Sequence, residues 1–248
     1  MSRKLVAAFA CRAGGARLYG KPLQNLIGDK TILDHMLDVI EQIPKIETVV
    51  LGISEGLENL PFVELAKRRN IPYVFGDEID VLSRLILCGR IARATDVYRV
   101  TTECPFTFFE PISEAWDRHV RNGNDVTVTD GLPEGTNFEI YTLDALQASH
   151  DRGGERHRSE GCSRYIREHR SDFKVEVILP PTECARTDLR LTVDYPEDLV
   201  VCRRIFEHFK DSAPLIPMAD IISFLDKNPN LKDLVSPYVY PDRVWPDE

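Results

Sequence analysis

Lys4–Cys11 reads K-L-V-A-A-F-A-C, and Arg12–Leu23 continues R-A-G-G-A-R-L-Y-G-K-P-L. The first run is short, apolar and bounded by a turn signal, which predicts a buried strand. The second brings Arg12, Arg17 and Lys21 together with Gly14, Gly15 and Gly20 in one loop. Glycines let backbone N–H groups come close to an anion, and the cations neutralise it. That is the chemistry of a triphosphate cradle, set against the plainer reading of a basic surface turn after an edge strand. The loop is not a P-loop, because Pro22 stands where G-x-x-x-x-G-K-[ST] needs a hydroxyl, and it contains no G-x-G-x-x-G.

The elements that follow alternate. Ile32, Leu33, Met36, Leu37 and Ile40 share a helical face that Thr31 can cap. Strands are expected at Thr48–Ile53, Pro72–Phe75, Val97–Val100 and Val126–Thr129, with helices starting at Pro61, Asp80 and Ile112 between them. Strand–helix alternation of this kind implies a mainly parallel sheet covered on both faces, with ligands beyond the carboxyl ends of the strands. The second half is less regular. Asn137–Tyr141, Phe173–Leu179 and Leu189–Val193 read as strands, Leu143–His150 as a short helix, and Asp151–Ser163 as a polar loop, mobile or ordered by an anionic ligand. Pro196 begins a helix, Met218–Lys227 is the last one, and the tail after Lys232 is expected on the surface or on a partner chain.

The chain has 248 residues, 43% of them hydrophobic, and no linker that would split it, so a single domain is expected. Its divisions are expected at 1–130, 131–215 and 216–248, the last a C-terminal helix and tail. The net charge of −9, from 31 basic and 40 acidic residues, argues against nucleic-acid or membrane-surface binding. The basic start is followed by too short an apolar run for a signal peptide, and no segment approaches the roughly 18 apolar residues of a membrane span. Six cysteines without C-x-x-C spacing read as free thiols of a cytoplasmic protein.

Several side chains could carry chemistry. Glu103 and Asp194 each follow a run read as a buried strand, a position suited to a hard cation such as Mg²⁺. Asp194 also reads as a helix cap before Pro196, and Glu103 as a solvated turn residue. Asp80 is a helix cap, with Arg84 one turn on, either beside it or as an exposed helix charge. Arg156, His157, Arg158, Arg164 and Arg167 form a basic cluster in an acidic protein, a candidate site for an anionic acceptor or a solvated charged surface.

Taken in order, these segments resemble the cytidylyltransferase family that includes the CMP-sialate and CMP-Kdo synthetases, and most of all its SpsF-like spore-coat polysaccharide branch. The motifs that carry the resemblance are A-C-R-A-G-G-A-R-L-Y-G-K at Ala10–Lys21, D-V-L-S-R at Asp80–Arg84 and V-T-T-E-C-P at Val100–Pro105. To these add G-T-N-F-E at Gly135–Glu139 and R-L-T-V-D-Y-P-E-D at Arg190–Asp198. The resemblance implies a nucleotide-diphospho-sugar transferase (GT-A-like) fold, a mixed and mostly parallel sheet between helices. It also implies CTP as substrate, Mg²⁺ as cofactor, a homodimer, and products that feed glycan or cell-surface assembly. Arg12, Arg17 and Lys21 would hold the triphosphate and stabilise the charge that builds during transfer. Ala8, Ala10, Gly14, Gly15, Asp80 and Arg84 would complete the nucleotide pocket. Glu103 and Asp194 would hold the metal, and Glu139 would face the acceptor or its metal shell.

The chain departs from the family at Glu103, where the family has Asp, at Thr102, where it has Gly, and at Gly161, where the branch has His. The expected activity is transfer of CMP from CTP to an anionic acceptor with release of pyrophosphate. The acceptor would be a sugar acid, a phosphorylated small molecule or a phosphonate, bound by Arg156, His157, Arg158 and Arg164. A glycosyltransferase is the alternative on such a fold, but the chain has no Asp-x-Asp motif. A non-catalytic nucleotide-binding homologue is a second alternative.

Overall fold

Strand β1 (Leu5–Cys11) is the axis of the sheet. Leu5, Ala7, Phe9 and Cys11 enter one core cluster while Val6 and Ala8 enter the other, as the two-residue period of a strand requires when both faces are covered. The computed structural model describes residues 3–15 and 17–245. Met1 and Ser2 of the basic start, Ala16 of the glycine loop and the last three residues lie outside that set.

A small hairpin, β2 (Asn25–Ile27) and β3 (Lys30–Thr31), follows the glycine loop. Next come α1 (Ile32–Glu41), β4 (Ile46–Ser54), α2 (Leu60–Arg69), β5 (Tyr73–Gly76), α3 (Val81–Ile91), β6 (Asp96–Val100) and α4 (Ile112–Asn122). Thr31 and Asp80 cap α1 and α3, accepting from the Asp34 and Ser83 N–H groups at 3.0 and 2.8 Å. The chain continues through β7 (Val126–Thr129), β8 (Glu139–Thr142), α5 (Leu143–Arg152), α6 (Glu155–Arg158), α7 (Arg164–Glu168) and β9 (Val175–Ile178). It ends with α8 (Pro196–His208), α9 (Met218–Lys227) and α10 (Pro229–Val235).

The seven-stranded sheet has the order β5-β4-β1-β6-β8-β7-β9. β5, β4, β1 and β6 run parallel, β8 is antiparallel to both β6 and β7, and β9 is parallel to β7. This is the mixed, mostly parallel α/β sheet the sequence implied. Residues of α3, α5 and α7 pack on the Val6 face, and those of α1, α2, α4 and α8 on the Phe9 face. From β1 the chain builds outward through β4 and β5, then returns to the other side of β1 with β6. The order therefore reverses between β1 and β6, which is where open α/β sheets bind ligands.

Four expectations are corrected. Leu189–Val193 is not a strand of the sheet. It is buried but irregular, with a bend at Thr192 and an isolated bridge between Arg190 and Glu134, and Arg190 turns inward to carboxylates. Met218–Lys227 is not the last helix, since Pro229 starts α10. The polar segment Asp151–Ser163 is not all loop, since it holds the end of α5 and all of α6: buried His157 accepts from the Gly154 N–H at Nδ1, and Arg158 donates to the carbonyls of His150 and Gly153. The described part of the tail is not confined to the surface. Tyr240 is exposed, but Trp245 is buried in the core of its own chain, and the Val244 and Trp245 N–H groups donate to buried Asp130 at 3.2 and 2.8 Å.

Replacing Trp245 with Ala should therefore cost about 3–5 kcal/mol of stability, read from the denaturant midpoint. A change under about 0.5 kcal/mol is what a surface tail would give.

Candidate active site

The glycine loop leaves β1 at the reversal point and folds back on itself. The Gly20 N–H donates to the Ala13 carbonyl at 2.8 Å, and the Ala13 N–H donates to Asn59 Oδ1 at 2.8 Å. Gly15 is required here, because a Cβ would lie 2.6 Å from the Leu18 carbonyl oxygen. The fold of the loop brings Arg17 and Lys21 to one carboxylate. Asp194 Oδ1 accepts from Lys21 Nζ at 2.6 Å and from Arg17 Nη2 at 2.7 Å, while Oδ2 accepts from Arg190 Nη2 at 2.7 Å. Burial opposes the charge on Asp194, but hydrogen bonds from Lys21 and Arg190 and the charges of Lys21 and Arg17 outweigh it, holding the carboxyl below its ordinary range.

Asp194 is not the cap of α8. Tyr195 holds the N-cap position, and Asp198 in the first turn accepts at Oδ2 from the Asp194 and Tyr195 N–H groups at 2.8 and 2.9 Å. Arg190 is the buried centre of the arrangement, reaching Asp194, Asp198 at 2.9 Å and Glu134 at 2.5 Å. Glu103 follows β6 and joins the same region, since its carbonyl accepts from the Val193 N–H at 2.9 Å. Burial raises the Glu103 carboxyl, Lys21 opposes that rise and the charge of Asp194 adds to it, so the two carboxylates sense each other.

Two cavities adjoin across the end of β6. The smaller, about 90 Å³, is lined by Ala10, Arg12, Gly14, Lys21, Arg84 and Glu103 among others. The larger, about 320 Å³, is lined by Asn137, Glu139, Arg167, Asp194 and Val244 among others. Arg99, Val100, Thr101 and Glu160 border both. Arg84 is no exposed helix charge. It is fully buried and donates to the Cys11 and Gly52 carbonyls at 2.9 and 3.1 Å, closing the floor of the smaller cavity at the ends of β1 and β4.

The remaining predicted site residues are placed as follows. Arg12 pairs with Glu160 at 2.6 Å. Gly15 lies in the loop outside the cavity lining, and Ala8 is buried inside the sheet, three residues before the end of β1. Asp80 caps α3 and meets His150 Nε2 at 2.9 Å. Glu139 lines the larger cavity and pairs with Arg99 at 2.5 Å. Arg156 and His157 engage Glu168 at 2.7 and 2.9 Å, Arg158 is spent on carbonyls, and Arg164 is exposed; none of the four lines either cavity. Sequence reasoning assigned no role to Arg99, Arg190 or Tyr195, whose ring lies 5.0 Å from the Arg17 guanidinium. An arginine inside the apolar run Val97–Val100 was a usable signal for Arg99.

The profile of the cytidylyltransferase family matches residues 9–212, and the chain belongs to that family. It is a nucleotidyltransferase. Among curated proteins it is 29% identical over 233 residues to the uncharacterized protein MJ1063 of Methanocaldococcus jannaschii, covering 94% of this chain and 95% of that one. It is 23% identical over 224 residues to the spore coat polysaccharide biosynthesis protein SpsF of Bacillus subtilis, covering 88% and 92%. Of solved structures, a cytidylyltransferase from Leptospira borgpetersenii superposes with a TM-score of 0.82 at 23% identity, covering 93% and 97%. A CMP:2-keto-3-deoxy-manno-octonic acid synthetase in complex with CTP superposes with a TM-score of 0.62 at 14% identity, covering 83% and 99%. The superpositions show the same fold.

Because Asp194 occupies Lys21 and Arg17, a phosphate anion must take them from it. Asp194→Asn keeps the shape and removes the charge. Without divalent metal, pyrophosphate should bind this variant at least roughly tenfold tighter than the parent, since the charge-assisted bonds from Lys21 and Arg17 become weaker bonds to a neutral amide. Calorimetry in EDTA reads the shift, and unchanged affinity would show that the cations are not held.

Proposed function

We propose that the protein is a Mg²⁺-dependent cytidylyltransferase that transfers CMP from CTP to an anionic small-molecule acceptor and releases pyrophosphate. The observation that carries this reading is the shared wall Arg99–Thr101. A cation-lined cavity of nucleotide-phosphate chemistry opens beside a second cavity large enough for a small polyhydroxylated molecule. An acceptor oxygen attacks the α-phosphorus from the larger cavity, a new P–O bond forms, and the α–β phosphoanhydride breaks with the electron pair leaving on pyrophosphate. The proton of an attacking hydroxyl is released.

Lys21, Arg17 and Arg12 hold the triphosphate. Fixed cations aimed at developing phosphate charge stabilise such a reaction mainly by electrostatics and position. The donors fit Mg²⁺. Asp194 and Glu103 supply two mutually repelling carboxylates, and among the described residues no cluster of three or more acidic, His or Cys side chains could hold an ion alone. A hard cation that uses one or two carboxylates and completes its shell with phosphate oxygens matches that set. Bound there, it would neutralise triphosphate charge. Of the glycosyltransferase alternative, nothing in the site favours a nucleotide sugar.

Pyrophosphate release with the four NTPs crossed against sugar acids, phosphate monoesters and phosphonates tests the reading, with CTP expected to be the productive nucleotide. Lys21→Ala removes no core packing and should stay folded while turnover falls about 10²–10³-fold. Near-normal turnover in the folded variant would reduce the loop to a surface turn.

A further inference from the structure

Among the described residues that line the larger cavity, Arg167 is a cation in no ion pair, while the lining carboxylates Glu134, Glu139, Glu160 and Asp194 are paired with other cations. Arg99 is taken by Glu139, and Lys21, on the cradle side, by Asp194. Arg167 of α7 lines the cavity, and among the described residues its hydrogen bonds go to neutral groups only. Nε donates to Ser163 Oγ at 3.3 Å, and Nη1 donates to the Val244 carbonyl at 3.5 Å. Both contacts are long, so most of the five guanidinium N–H donors are unspent. A planar donor fork of this kind suits an oxyanion.

The group that Arg167 contacts is itself anchored. Val244 belongs to the C-terminal strap, which Asp130 grips through Arg243 Nε at 3.2 Å and through the Val244 and Trp245 N–H groups, with Trp245 buried beyond. Asp130 is itself buried, and the strap divides the larger cavity from a third of about 180 Å³, to which Asp130, Asn137, Tyr240 and Val244 contribute. Asn137 borders both cavities, and its buried Oδ1 has no hydrogen-bond partner among the described residues. A buried acceptor left unpaired is costly, and a hydroxyl donor would satisfy it.

We propose that Arg167, held by Ser163 and the C-terminal strap, is the anchor for the acceptor's oxyanion, and that Asn137 reads an acceptor hydroxyl. The acceptor class is then a hydroxylated small molecule carrying a carboxylate or a phosphate. The strap, and not the Arg156–Arg158 turn, sets its placement. This rests on the cytidylyl-transfer reading of the adjoining cradle.

Ligand-observed NMR on the whole protein tests it with three sets of probes: gluconate and glucuronate, glycerol 3-phosphate and glucose 6-phosphate, and neutral glucose and glycerol. Binding of CTP with Mg²⁺ is measured in parallel. At least one anionic set should bind, which distinguishes carboxylate from phosphate, while the neutral set should not. Arg167→Ala should weaken the bound set at least tenfold, Arg167→Lys should restore part of the loss, and CTP affinity should be unchanged in both. Asn137→Ala should remove the preference for gluconate over butyrate if carboxylates bind, or for glycerol 3-phosphate over methyl phosphate if phosphates do. Neutral probes binding equally well, anionic probes binding Arg167→Ala within twofold of the parent, or no anionic probe binding while CTP binds would each overturn the anchor. Absence of CTP binding would instead overturn the reading of the cradle.

Discussion

One carboxylate carries three cations. Asp194 joins the glycine loop, through Lys21 and Arg17, to a segment more than 170 residues further along the chain, through Arg190. A partly buried charge in low dielectric persists only when paired, and removing one member of such a group leaves the others uncompensated. Without ligand, the protein thus places its own anion against cations suited to a phosphate. Nucleotide binding becomes an exchange of partners. The loop is held in shape beforehand, and a ligand that cannot compensate Asp194 as well as Lys21 and Arg17 binds at a disadvantage.

The sheet order explains why these residues meet. β1 and β6 are neighbours whose crossovers leave in opposite directions, so the loop after Cys11 and the turn after Val100 open into one crevice. Arg84 seals its floor by donating to main-chain carbonyls at the ends of β1 and β4. Glu134 and Arg190 bring the second half of the chain to the same edge. Gly135, at φ +89°, permits that approach, since a Cβ there would stand 2.7 Å from Thr192 Cβ.

The fold was largely legible because its signals are local. The alternation in β1, the caps Thr31 and Asp80 and the apolar runs of β4, β6 and β7 all act within a few residues. The cations of the glycine loop and the carboxylates Glu103 and Asp194 stand out in the sequence for the same reason. What sequence could not show was direction. Arg84 and Arg158 look like solvated charges, and both turn onto backbone carbonyls. Leu189–Val193 has the composition of a strand, but it bends at Thr192 and turns Arg190 inward toward Glu134, Asp194 and Asp198. Trp245 sits in a polar tail and gains its place only because buried Asp130 offers a carboxylate to the strap's N–H groups. These outcomes depend on long-range partners that periodicity does not encode.

The central claim is that the glycine-loop cations and Asp194 form one site that exchanges partners when nucleotide arrives. A crystal structure of the protein with CTP and Mg²⁺ tests it most directly. The account predicts the triphosphate against Lys21 and Arg17, the Lys21–Asp194 contact opened beyond hydrogen-bond distance, and the Asp194 and Glu103 carboxylates facing the same ion. A nucleotide bound away from the loop, or a Lys21–Asp194 contact still at its present 2.6 Å with nucleotide in place, would contradict it.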